Sequence, residues 1–279
     1  MTTSTAAVAD LVRIDLDADG VALVRLNRPE RMNALDGAMF DAILAAQERL
    51  QSLPGLRAVV LAGEGRAFCA GIDIGHFERL LREGKVGSGV DLGERSGGTG
   101  ITLLERTHGI ANGPQQVVLG WRSLPVPVVA ALHGVVFGGG LQIALGADLR
   151  IAHPATRLSV LEVAWGLVPD MAGMALMREL LRGDVLRDLV YTGREVHGDE
   201  AVALGLATRT ADDPLAEARA WAAAVARHSP QAVRAAKRLL NVALDGAPPA
   251  DVLMAEAREQ HVLLGSDEQI ATVRARLKR

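Results

Sequence analysis

Cysteine occurs once in the 279 residues, as Cys69, so no disulfide can close within the chain and no cluster of thiolates can hold a metal. Charge of one sign is scarce too. The formal net charge of −3 and a pI near 6.2 leave no basic excess to neutralise a phosphate backbone, which argues against a nucleic-acid partner. No run of about 18 apolar residues appears, and positions 1–10 lack the basic segment and apolar core of a secretory signal. A reducing cytoplasm, no membrane and a small-molecule partner are therefore expected. His76, His108, His133 and His153 show no ligand spacing, so no metal site is expected. The glycine run at 138–140 lacks the Lys-Ser/Thr ending of a phosphate loop and carries no dinucleotide fingerprint.

What is present is apolar: 49% of the residues are hydrophobic, enough for one large core or a core with a helical appendage. Residues 21–26 and 56–61 read as buried strands, the first closed at Asn27-Arg28-Pro29 because proline has no donor for a ladder. Between them Asp36 is placed to cap a helix in which Met39, Ile43, Ala46 and Leu50 recur at helical spacing until Pro54-Gly55. Further strands are predicted at 127–132 and 149–152, with a buried helix at 140–146 between them. Helical pieces at 77–82 and 101–119 flank a glycine-rich loop, 84–100, expected over the mouth of a site. After Val168-Pro169-Asp170 the pattern turns helical, at 171–181, 183–191, 199–204, 214–228, 231–244, 250–264 and 266–279, with a last strand or turn at 204–207.

Alternating strands and helices predict an α/β fold. Strand-strand-helix units recur loosely through the first 200 residues without a fixed period. The expected organisation is a poorly ordered N-terminus over 1–10, a core over 11–205, and a helical C-terminal region over 206–279, packed on the core or on a neighbouring subunit.

Two segments carry the chemistry. Arg66-Ala67-Phe68-Cys69-Ala70-Gly71-Ile72-Asp73 and His133-Gly134-Val135-Val136-Phe137-Gly138-Gly139-Gly140-Leu141-Gln142 each place small residues where an extended run turns into a helix. Such turns leave main-chain N–H groups bare and approachable by a ligand oxygen. Two of them facing one another would make a two-donor hole for a carbonyl oxygen that becomes negative during reaction, a device suited to enolate chemistry. Proton transfer needs a further group. Glu162, in Ser159-Val160-Leu161-Glu162-Val163, sits in an apolar stretch where desolvation would raise its pKa toward a useful range.

In order and wording these motifs resemble the crotonase (enoyl-CoA hydratase/isomerase) family over nearly the whole chain. Leu26-Asn27-Arg28-Pro29 with Asn33-Ala34-Leu35, the two glycine turns, Tyr191-Thr192-Gly193-Arg194, Glu200-Ala201, Gly205-Leu206, Ser229-Pro230-Gln231-Ala232 with Lys237, and Ser266-Asp267-Glu268 carry the likeness. The resemblance implies a crotonase-like spiral of strand-strand-helix units with a helical C-terminal trimerisation region. It also implies an acyl-CoA thioester as substrate, coenzyme A entering only as part of that substrate with no other cofactor, and trimers or hexamers. By the family pattern the N–H groups of Ile72 and Gly139 form the oxyanion hole and Glu162 is the catalytic acid/base. Arg28, Ala70, Gly71, Gly140 and Gln142 are implied as substrate- or CoA-binding positions, and Lys278 or Arg279 as a contact across a subunit boundary.

Two departures shape the expected activity. Hydratases carry a second carboxylate two residues after the glycine triplet, where this chain has Gln142. An amide exchanges no proton near neutral pH, so the clamp that orients a water is incomplete. Asp170, eight positions beyond Glu162, resembles the Glu/Asp spacing of dienoyl-CoA isomerases, although those also carry an aspartate at the position of Gln142. An isomerase that shifts double bonds in enoyl- or dienoyl-CoA is the leading expectation, with a 2-enoyl-CoA hydratase and a noncatalytic acyl-CoA binder as alternatives. Plainer roles stay open: Asp170 as the cap of a helix beginning at Met171, Arg28 as a solvated charge, Gln142 as a partner for buried polar groups.

Overall fold

The computed structural model describes residues 11–75 and 103–278. The first ten residues, the helical piece expected at 77–82, the glycine-rich loop at 84–100, His76 and Arg279 lie outside these.

Six strands form the main sheet: β1 (Val12–Leu16), β2 (Val21–Leu26), β3 (Ala58–Gly63), β4 (Val128–Leu132), β6 (Leu149–Ala152) and β9 (Arg209–Thr210), in the order β1-β2-β3-β4-β6-β9. Only β1 and β2 run antiparallel; the other neighbours are parallel. A second sheet of β5 (Val135–Phe137), β7 (Arg157–Ser159) and β8 (Val196–His197) stands beside it.

The period of two in the strands sorts their side chains between two cores. Val24, Leu26, Val59, Leu61, Val128 and Leu132 join a large core with α1 (Gly37–Gln51), α2 (Gly113–Ser123) and α3 (Gly139–Leu145). Their alternates Val21, Leu23, Val60, Ala62, Val129 and Ala131 face the opposite way, onto Ala218, Ala222 and Ala226 of α7 (Pro214–Ala226). Three alanines four apart give that helix a flat face on the sheet. Residues beyond 205 thus add a strand and a covering helix to the core layers.

Local signals account for most boundaries. Asp36 caps α1 by accepting the Met39 N–H at 2.9 Å, as its position predicts. The helix expected from Ile101 instead starts at Gly113, because Asn112 and Gln115 close a reciprocal capping box there. The strands β1, β5 and β7, of five, three and three residues, are too short or too exposed to stand out in the sequence pattern. The remaining helices are α4 (Gly173–Leu180), α5 (Gly183–Thr192), α6 (Gly198–Leu204), α8 (Pro230–Leu244), α9 (Pro249–Leu263) and α10 (Asp267–Leu277).

Buried charge ties the C-terminal helices to the core. Lys237 of α8 places its Nζ 2.9 Å from Asp148 Oδ2 and 2.8 Å from the Val126 carbonyl. By contrast α9 and α10 bury no residue at all and expose Leu253, Met254, Val262 and Val273. No helix among the described residues is long and apolar enough to cross a membrane.

Candidate active site

The first glycine turn is held between two other segments. On one side Leu35 donates its N–H to the Gly71 carbonyl at 2.7 Å, and Asp73 donates to the Leu35 carbonyl at 2.9 Å. On the other, Cys69 bonds the Val135 carbonyl at 3.1 Å and accepts the Phe137 N–H at 3.1 Å. Asn33 anchors the approach: its Nδ2 lies 3.0, 2.9 and 3.1 Å from the carbonyls of Glu64, Ala67 and Phe68, and its Oδ1 accepts the Arg28 N–H. Sequence reading noted Asn33 only as part of a motif and missed this anchoring; its left-handed φ of 55° shows only in the structure.

This bracing presses the two glycine turns together. A Cβ on Gly140 would stand 2.4 Å from the Cys69 carbonyl oxygen, and one on Gly71 would stand 2.7 Å from the Phe137 carbonyl oxygen and 3.6 Å from the Gly139 nitrogen. Gly71 also has a φ of +86°, a conformation that suits glycine. Gly139 opens α3, so its N–H has no acceptor within the helix. Neither that N–H nor the Ile72 N–H has a main-chain acceptor among the described residues. Cys69, buried behind the turn with its thiol against the Asn33 carbonyl, is pushed up to about 12 by burial and is therefore an inert thiol.

Glu162 begins a 3-10 turn, Glu162–Trp165, on the far side of the triplet. Its carboxylate lies against Gly138: a Cβ there would be 3.4 Å from Glu162 Oε1. An added methyl there would make only ordinary contact, so it is the φ of +49° that calls for glycine at 138. Oε1 accepts a hydrogen bond from Gln142 Nε2 at 2.6 Å, while Oε2 is buried without a partner. Burial pushes the Glu162 pKa up, the charge of Asp170 adds to the rise, and hydrogen bonds from the main chain and from Gln142 work the other way.

Asp170 is exposed, although the protein around it raises its pKa by desolvation, against a main-chain hydrogen bond that lowers it. It does not cap α4. The N-cap residue is Ala172, and the acceptor for that end of the helix is Gln142 Oε1, which takes the N–H groups of Met171 and Gly173 at 2.9 Å each. Gln142 is 2% exposed and so belongs to the wall of the site, linking α3, α4 and Glu162.

Arg28 reaches into the structure. Its Nη1 lies 2.8 Å from Asp73 Oδ2, 3.1 Å from Asp36 Oδ2 and 3.1 Å from the Ala34 carbonyl. Burial would raise the Asp73 pKa, but the Gly75 N–H and the Arg28 charge hold it below the ordinary carboxylate value. Ala70 is partly exposed beside Gly71, where it donates to the Met32 carbonyl. Lys278 lies just beyond α10. Among the described residues no group of three His, Cys, Asp or Glu side chains could hold a metal ion.

The glycine turns and the half-buried Glu162 thus stand together, and comparison with known proteins gives the family. The family described as enoyl-CoA hydratase/isomerase matches residues 21–278. The chain belongs to the enoyl-CoA hydratase/isomerase (crotonase) family. A Thermus thermophilus protein provisionally named an enoyl-CoA hydratase is 36% identical over 236 residues, covering 84% of this chain and 85% of that one. Among solved structures, a crotonase of Mycobacterium abscessus, provisionally titled enoyl-CoA hydratase/isomerase, superposes with a TM-score of 0.81 at 30% identity, covering 96% of both chains. An enoyl-CoA hydratase of Mycobacterium smegmatis superposes with a TM-score of 0.77 at 27% identity, again over 96% of both. The α/β layers with a helical C-terminal region are thus the crotonase-like fold.

Proposed function

We propose that this crotonase shifts a double bond in an enoyl- or dienoyl-CoA thioester by proton transfer. In this reading the N–H groups of Ile72 and Gly139 hold the thioester oxygen. The Glu162 carboxylate removes a proton from an activated carbon, and the electron pair moves into the conjugated chain as an enolate. A proton then returns to a different carbon from Asp170 or from Glu162 itself. When Asp170 donates, proton exchange between the two carboxyls resets the site, so the substrate gains and loses nothing but the position of its double bond. Gly71 and Gly140 let the two turns close on each other beside Ala70 and so shape the hole that receives the thioester, and Arg28 serves CoA through the edge of its guanidinium left by Asp73 and Asp36.

The observation that carries this reading is the state of Gln142. Its carbonyl is committed to two main-chain donors and its amide to Glu162, so it offers no base to activate water. Glu162 and Asp170 are then the two carboxylates of raised pKa on this wall. Hydration with Glu162 as the working group is the second reading, favoured by the hydratase names that several relatives carry.

Following absorbance of 2-enoyl-CoA and 3,5-dienoyl-CoA separates the two. Migration of the double bond without loss of unsaturation is expected; rapid water addition with no migration would replace the isomerase by the hydratase. Glu162→Gln is expected to stop turnover while leaving CoA thioesters bound, whereas unchanged turnover would remove the proton-transfer scheme. A homo-oligomer, trimer or hexamer, belongs to the same proposal and is supported by the exposed apolar residues of α9 and α10. Sedimentation of the full chain at one protomer's mass would refute it.

A further inference from the structure

We infer that Gln142 is a positioning residue for the proton carrier: its amide, locked by two main-chain donors, fixes the Glu162 carboxylate so that Oε2 is the oxygen that exchanges the proton. The inference rests on the reading of Glu162 as that carrier.

The orientation of the amide is not degenerate. The Met171 and Gly173 N–H groups can only donate, so the atom 2.9 Å from each must be the Gln142 oxygen. That turns Nε2 toward Glu162 Oε1, at 2.6 Å. Turning the amide over would set two donors against an NH2 group and a carbonyl against a carboxylate. All seven residues of α3 are buried, so Gln142 stands on a rigid support with no solvent competing for its hydrogen bonds.

Two consequences reach Glu162. Oε1 is tied to an amide, leaving Oε2, buried and unpartnered, as the oxygen whose lone pairs are free to take a proton. The amide also favours the ionised form, against burial and against Asp170, the charged group that acts on Glu162 from the segment before α4. A carboxylate at 142 could still accept from Met171 and Gly173, but it would put a like charge where Glu162 now finds a donor. The residue type at 142 thereby shifts the pH at which Glu162, raised first by burial, becomes a base.

Gln142→Glu tests this, because it preserves length and both accepted hydrogen bonds while removing the donor. The side-chain carboxyl of Glu162 is followed by carbon-13 NMR in the full chain and assigned by its disappearance in Glu162→Gln, a readout that needs no substrate. Its titration midpoint is expected to rise by about one pH unit or more, a tenfold change in ionisation. The acid limb of kcat/KM should move with it, and the melting temperature should fall more in Gln142→Glu than in Gln142→Met, because only the former sets a like charge beside Glu162. Gln142→Met, which removes the donor without adding charge, should move the midpoint in the same direction by less. An unmoved midpoint in both variants overturns the inference. If Glu162→Gln retains full turnover, the scheme that assigns Glu162 the proton has failed, and Gln142 positions no proton carrier. If Glu162→Gln is inactive but the midpoint stays in place, the positioning role alone is wrong.

Discussion

Gly140→Ala puts the contact between the two glycine turns under direct strain. The added methyl would lie 2.4 Å from the Cys69 carbonyl oxygen and 2.8 Å from the Cys69 Cβ, short of the 3.4 Å of ordinary contact by about 1 Å at the oxygen. The obstacle is main chain, braced by Leu35 on one side and Val135 on the other, so no side-chain rotation relieves it. Gly140 lies inside α3 without a positive φ, where alanine is the better helix former, and the penalty is therefore steric. Pushing residues 69–72 away from 138–140 by about 1 Å displaces one proposed oxyanion donor relative to the other. A misplacement of that size costs roughly 100-fold in rate, and the overpacking costs about 1–3 kcal/mol of stability. Steady-state turnover of an enoyl-CoA and a thermal melt measure the two effects separately. Gly55→Ala is the control: its φ of +76° strains an added side chain, but nothing lies within 4 Å of the new methyl, so stability falls while kcat/KM holds. Turnover within threefold of wild type in a well-folded Gly140→Ala protein would refute the claim that this contact sets the geometry.

Other perturbations read other parts of the structure. Because burial first, and then Asp170, raise the Glu162 pKa, activity that needs the ionised carboxylate should climb with pH along an acid limb lying above the ordinary carboxylate range. A limb at or below that range would exclude Glu162 as the base. Asn33→Ala strips the Glu64, Ala67 and Phe68 carbonyls of a buried donor and should cost about 2–3 kcal/mol in denaturant titration. Asn33→Asp, which turns an oxygen on those carbonyls, should cost more; an aspartate as stable as the alanine would mean that the anchor carries little. Lys237→Met leaves Asp148 and the Val126 carbonyl without their cation and should destabilise by about 3 kcal/mol with kcat unchanged, and the additional change Asp148→Asn should recover part of the loss in the same melts.

How legible the site was depends on whether a residue acts through its neighbours in sequence or through distant ones. The apolar run at 21–26 and the Asp36 cap are local, and the structure follows them within a residue or two. Gly71 and Gly138–Gly140 were legible as a pair because each demands small residues for its own turn. What pattern alone could not show is the traffic across the site. Asp170 appeared equally able to cap α4, but the oxygen that does so comes from Gln142, 31 positions before Gly173. Arg28 read as a free charge for a phosphate, and only the fold brings Asp73 to its Nη1, 45 positions on (73 − 28). The start of α2 at Gly113 was missed although its signal was present, since Asn112 and Gln115 spell a capping box that an apolar pattern search passes over.

The two halves of the site are built to different tolerances, and this bears on how such a scaffold changes its reaction. The glycine turns are fixed by main-chain contacts that a single methyl would disrupt, so the proposed oxyanion donors have little freedom to vary. The carboxylates stand on an irregular stretch from the 3-10 turn to α4, which exposes Val163, Leu167 and Val168 and packs few side chains into the core. There an acid can be gained, lost or exchanged for an amide at little cost to folding. Gln142 joins the halves: it rises from the rigid helix behind the glycines and ends on Glu162. Substitution at that one position alters the charge beside the proton carrier without moving the oxygen-binding turns. In the proposed scheme the choice between moving a double bond and adding water therefore rests on a few side chains around Glu162, while enolate stabilisation rests on the backbone.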